Sequence, residues 1–126
     1  MTLDDEKRLK KYVEKRGMIY LSTPFSLSSA IKLNRLGIKA FKIGSGECNN
    51  IPLLEKIASF KKPILLSTGM NDLKSIEKSV KVIERFKVKY VLLHCKSEYP
   101  ANINELRLDF INILKKKVSK IIGRLF

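Results

Sequence analysis

Four short apolar runs in this chain end alike, in hydroxyls, a lysine or a glycine. They are Ile19-Tyr20-Leu21-Ser22-Thr23, Ala40-Phe41-Lys42-Ile43-Gly44-Ser45-Gly46-Glu47, Ile64-Leu65-Leu66-Ser67-Thr68-Gly69 and Tyr90-Val91-Leu92-Leu93-His94-Cys95-Lys96-Ser97. An apolar run without polar alternation reads as a strand covered on both faces, the condition of a parallel sheet. Polar groups at the C-terminal ends of such strands stand where α/β folds place their chemistry. The pattern predicts consecutive βα units that present one row of anion-binding side chains along a single rim.

The segments between the runs fit that reading. Thr2 caps a first helix with Asp5 reaching back, Leu9, Tyr12 and Val13 form its buried stripe, and Gly17 stops it. A strand over residues 18–23 follows, then a helix from about Ser26 with Ala30, Ile31 and Leu33, ending at Gly37. Strand 40–44 leads through Gly44-Ser45-Gly46 to a helix opened by Pro52, with Leu53, Leu54 and Ile57 inward. Strand 64–67 precedes a helix capped by Asn71 with Leu73, Ile76, Val80 and Ile83 on one face. Strand 90–94, a helix carrying Leu106, Phe110 and Ile113, and a fifth strand beginning at Ile121-Ile122-Gly123 complete the series. Units of roughly 22 to 30 residues are the size of minimal βα modules with right-handed crossovers.

The 126 residues allow one domain, whereas a closed eight-stranded barrel typically takes about 250. No apolar run approaches the roughly 18 residues that would span a bilayer, and the charged N-terminal stretch lacks a signal-peptide pattern, so a cytoplasmic location is expected. Cys48 and Cys95 are too few for a disulfide framework and lie at no metal-binding spacing, so both are read as reduced. The formal net charge of +14 would favour a polyanion, but the lysines spread over the outer positions of nearly every helix. No RNA-binding sheet motif, helix-turn-helix or zinc signature accompanies them, so no nucleic-acid partner is expected.

Along the rim, Lys42 lies inside an apolar strand, where a cation is costly unless an anion pairs with it. Gly44-Ser45-Gly46 and Ser67-Thr68-Gly69 would let backbone amides approach an oxyanion such as phosphate or carboxylate. The alternative for either motif alone is a snorkelling lysine beside a glycine turn. Glu47 is placed for general acid or base work, or else enters a helix. With no second histidine in the chain, His94 reads as a packed side chain before a metal ligand. Tyr99-Pro100 shapes a pocket mouth or anchors a loop.

These motifs, with Ser22-Thr23-Pro24-Phe25 and Leu92-Leu93-His94-Cys95, resemble the N-acetylneuraminate (sialic acid) synthase family from about Thr2 to Gly123. The resemblance implies a phosphoenolpyruvate-condensing enzyme on a (β/α)8 barrel with a divalent metal, manganese or magnesium. It implies that residues 1–126 are an incomplete catalytic barrel domain, about strands 3 to 7, without the family's C-terminal antifreeze-like domain. Thr23, Lys42, Ser45, Ser67 and Ser97 match positions that hold the phosphate and carboxylate of phosphoenolpyruvate, Tyr99 a position on the aminosugar side, and Glu47 a carboxylate near the reacting carbons. Ser97 stands where some members carry asparagine. The family's metal-binding histidines have no counterpart here, so no metal ligand is assigned and the isolated chain is expected to be inactive. Family members are homodimers, a property not assigned to this chain; the alternatives are a fragment of a legionaminate or pseudaminate synthase, or an inactive remnant that binds phosphoenolpyruvate.

Overall fold

In the computed structural model, which describes residues 2–118, three parallel strands lie in the order β1 (Phe41–Ile43), β2 (Ile64–Ser67), β3 (Tyr90–Leu93). Phe41 pairs with Ile64, and Ile64 with Tyr90. Five α-helices accompany them: α1 (Leu3–Lys15), α2 (Leu27–Arg35), α3 (Ile51–Ser59), α4 (Leu73–Arg85) and α5 (Asp109–Lys117). Parallel neighbours joined by single helices are the βα repeat that the sequence predicts.

The strands are not equally covered on their two faces. Phe41, Ile43, Ile64, Leu66, Tyr90 and Leu92 join Leu53, Leu54, Ile57, Ile76, Val80 and Ile83 of α3 and α4 in one buried core. The alternate positions Lys42, Leu65, Val91 and Leu93 are only half-buried. Side chains alternate across a strand, so the second row defines a separate face that carries Lys42 and Ser67. The unbroken apolar runs made both faces look equally buried; the helices account for one.

Three expectations about elements need correction. Residues 18–23 form no strand: they run extended beside β1, joined to it by a bond from the Lys42 amide to the Ser22 carbonyl at 3.5 Å. One long contact does not make a ladder. The cap of α4 is Asp72, whose carboxylate accepts from the Ser75 amide at 2.7 Å, and not Asn71. Helix α5 starts only at Asp109, because Arg107 takes a left-handed φ of 47° that separates it from a 3-10 turn over Ile103–Glu105. Leu106 therefore lies outside the helix, while Phe110 and Ile113 lie on it. The proposed strand at 121–123 lies outside the described residues.

Local chemistry explains the other boundaries. Thr2 and Asp5 form the reciprocal capping box of α1. Ser26 caps α2, and Asn50 caps α3 with Pro52 in its first turn. Gly17 and Gly37 leave α1 and α2 at φ 74° and 76°, and Lys61 and Lys87 take the same left-handed place after α3 and α4. Among the described residues no helix is long and apolar enough to cross a membrane.

Candidate functional site

The C-terminal ends of β1, β2 and β3 bring four of the five expected anion-binding residues onto one rim, two of them in direct contact and two gathered around Gly69. The Lys42 ammonium donates to the Ser67 hydroxyl at 3.1 Å, across adjacent strands. The Ser45 hydroxyl accepts from the Gly69 amide at 3.0 Å. Ser97, on the segment after β3, is placed by Gly69: a Cβ there would lie 2.6 Å from the Ser97 hydroxyl, 2.9 Å from the Ser45 hydroxyl and 2.9 Å from the Cys95 carbonyl. The fifth, Thr23, is half-buried beside the end of β1, its methyl 3.8 Å from where a Gly44 side chain would start.

These contacts fix what the side chains have left to offer. Ser67 accepts from Lys42, so its own O–H is free to donate elsewhere; Ser45 accepts from Gly69 with the same result. An ammonium with spare hydrogens beside hydroxyls that keep their protons to donate is a donor array, matched by an acceptor-only oxyanion. Among the described residues no carboxylate lies within ion-pairing distance of Lys42. A half-buried cation opposite a neutral hydroxyl carries charge that an anion would compensate.

Several backbone amides around these motifs are already committed. The Glu47 and Cys48 amides close the 3-10 turn over Ser45–Glu47, the Thr68 amide bonds the Leu93 carbonyl, and the Gly69 amide is used by Ser45. These four amides are spent on building the rim. The glycine whose lack of a side chain matters is Gly69; at Gly46 a Cβ would meet nothing within 4 Å.

Glu47 sits on the 3-10 turn, its carboxylate accepting from the Asn50 side chain at 2.6 Å. Tyr99 is fully exposed on the loop after β3 and is not drawn into the cluster. An open depression of about 330 Å³ beside it is lined by Met70, Cys95, Lys96, Ser97 and Glu98. His94 is committed to structure: its Nε2 is 2.7 Å from the Leu106 carbonyl and its ring lies 5.6 Å from that of Phe110. Lys96 ties the same loop through Glu105 at 2.9 Å and Glu98 at 3.5 Å. Its ammonium is stabilised chiefly by the Glu105 hydrogen bond, which raises its pKa. Both cysteines are free; burial pushes the Cys48 thiol up to about 11, which leaves it inert. Among the described residues no three His, Cys, Asp or Glu side chains converge as a metal-binding group.

Sequence reasoning missed Asn71. Its side-chain amide donates to the Ser45 carbonyl at 2.9 Å and to the Gly69 carbonyl at 2.6 Å, spanning the loops after β1 and β2. The one available signal was Asp72 next to it, an equally good cap that left Asn71 for other work.

A family model described as the NeuB family matches residues 1–124. The chain belongs to the NeuB family. It is 43% identical over 126 residues to N,N'-diacetyllegionaminic acid synthase of Campylobacter jejuni, covering 98% of this chain and 38% of that protein. To N-acetylneuraminate-9-phosphate synthase of Drosophila melanogaster it is 30% identical, over 94% of this chain and 32% of that one. A crystal structure of N-acetylneuraminic acid synthetase from Leptospira borgpetersenii, in complex with citrate, superposes with a TM-score of 0.90 at 32% identity, over 93% of this chain and 41% of that one. This NeuB-family chain thus spans about a third of the length of the curated relatives it matches.

Proposed function

We propose that this chain is the phosphoenolpyruvate-binding part of a nonulosonic acid synthase of the sialic acid type, built on strands 3 to 7 of a (β/α)8 barrel. The observation that carries the reading is Lys42, half-buried without a carboxylate partner among the described residues and donating to the hydroxyl of Ser67, which keeps its own proton to donate, as does that of Ser45. Lys42, Ser45, Ser67, Ser97 and Thr23 hold the phosphate and carboxylate. The contact from Lys42 is charge-assisted, and its partial burial strengthens it relative to a fully solvated ammonium.

In the reaction, the methylene carbon of phosphoenolpyruvate attacks the aldehyde carbon of an N-acetylated aminosugar. A new C–C bond forms and the carbonyl oxygen takes a proton. Water then adds to the former enol carbon, and the C–O bond to phosphate breaks, leaving a 2-keto acid and inorganic phosphate. Glu47 is the group proposed to move a proton near the reacting carbons, and Tyr99 to face the sugar. The divalent ion that the resemblance implies finds no ligand set among the described residues, and no step here runs through it. The diacetylated sugar of legionaminate synthesis is the second reading, favoured by 43% identity to the legionaminic acid synthase against 30% to the N-acetylneuraminate-9-phosphate synthase.

The test is calorimetric titration of the 126-residue chain with phosphoenolpyruvate. Binding to the wild type and a loss of at least about tenfold in Lys42→Ala, a hydrogen-bonded charge being worth about 1.5 to 3 kcal/mol, supports the reading. No heat with wild type, or equal affinity in the variant, overturns it.

A further inference from the structure

We propose that Asn71 is a positioning residue of this site, a clasp between the loops after β1 and β2 that sets the Ser45 hydroxyl as an outward donor. The proposal deepens the anion-site reading and rests on it for the ligand, while the clasp itself is a separate property of the fold.

The Asn71 amide nitrogen has two hydrogens, and each has a carbonyl to meet: Ser45 at 2.9 Å and Gly69 at 2.6 Å. Two carbonyl partners also settle the amide's orientation, since its oxygen in that place would face two acceptors. Residues 45 and 69 are thereby held from one point, and the Gly69 amide meets the Ser45 hydroxyl oxygen at 3.0 Å. That bond fills an acceptor site on the hydroxyl and leaves its proton for another acceptor. The Asn71 backbone closes the device, its amide bonding the Thr68 carbonyl at 3.3 Å. Helix α4 is capped by Asp72, so the clasp is free of that duty.

Asn71→Asp keeps the shape and replaces the two donors by an acceptor facing two carbonyls; Asn71→Ala removes the donors without repulsion. Amide hydrogen exchange followed by NMR on the ligand-free chain reads the clasp directly. The Gly69 amide is expected to exchange about tenfold faster in Asn71→Ala, the equivalent of one lost hydrogen bond, and faster again in Asn71→Asp. Ile76, Val80 and Ile83 amides in α4 are expected to keep their rates. Unchanged Gly69 exchange in both variants overturns the proposal. So does a uniform acceleration through α4 and β2 in Asn71→Ala, which would make the residue a general stabiliser.

Phosphoenolpyruvate titration of the same variants reads the consequence: affinity about tenfold weaker than wild type, with Asn71→Ala still folded and unfolding in one cooperative transition. Wild-type affinity in Asn71→Ala alongside faster Gly69 exchange would overturn its positioning of the ligand. Failure of the wild type to bind phosphoenolpyruvate would instead overturn the functional reading, and Gly69 exchange would then decide the clasp alone.

Discussion

Gly69 is where three loops meet, and its lack of a side chain is what lets them. A methyl group there would sit 2.9 Å from the Cys95 backbone carbonyl, which cannot rotate away as the two serine hydroxyls can. Gly69→Ala is therefore expected to push the segment after β3 off the rim. The cost is about 1 to 3 kcal/mol, as for other insertions into close-packed sites, with loss of phosphoenolpyruvate binding. Gly46→Ala, where a Cβ meets nothing within 4 Å, should leave the unfolding midpoint and affinity near wild type. Denaturant unfolding and calorimetry on the pair check this; equal behaviour would refute the crowding argument. The sequence marked both glycine motifs as close-approach sites. It could not say which one needed the space, because that depends on Ser97 and Cys95, which fold in from 26 or more residues away. Lys42 was legible for a simpler reason: a cation within an apolar strand is anomalous wherever the strand ends up.

At the level of elements, α4 shows what periodicity reveals and what it omits. Ile76, Val80 and Ile83 are buried as their spacing requires, yet Ser79 is equally buried among them. Its hydroxyl bonds the Cys48 carbonyl at 2.6 Å, tying α4 to the turn that carries Ser45. Ser79→Ala leaves that carbonyl unsatisfied and should destabilise by about 1 to 3 kcal/mol, read by denaturant unfolding; a neutral effect would show that water replaces the bond. At the start of α4, the Ser75 hydrogen bond holds the Asp72 carboxyl below its ordinary value of 3.8. The folded state then binds fewer protons than the unfolded state at this group. Its contribution is complete above the ordinary value and fades as pH falls through the depressed one. Asp72→Asn keeps the acceptor but not the titration, so its midpoint should fall less than wild type between pH 5 and pH 2. A parallel loss in both proteins would sink the assignment. Helix α1 went the other way. Its expected stripe of Leu9, Tyr12 and Val13 leaves Leu9 and Tyr12 exposed, while the buried position is Glu6, paired with Lys32 of α2 at 2.9 Å. An apolar stripe tells which face seeks cover, and says nothing of whether the neighbouring element supplies it.

Over the whole molecule, apolar surface and charge oppose one another. Met18, Ile19, Leu21 and Phe25 are exposed along the extended segment beside β1, Ile19 at 61% and Phe25 at 70%. Among the described residues this segment touches the sheet by one backbone bond, leaving donors and acceptors open for another chain. Contiguous apolar surface next to an open edge favours self-association. Against it stands a formal net charge of +14, which keeps copies apart over a distance set by the ionic strength. The screening length is about 30 Å at 0.01 M salt and about 3 Å at 1 M, so repulsion is strong at low salt and nearly gone at high salt, while apolar burial persists. The 126-residue chain is therefore expected to sediment as a monomer at low salt and to associate as sodium chloride is raised. Ile19→Lys should move that onset to higher salt by placing a charge on the contact itself, and Lys11→Gln, on the exposed face of α1, should move it slightly lower. Sedimentation across a salt series decides the matter. Association that weakens as salt rises would mean that charge pairing, and not the apolar segment, brings the copies together.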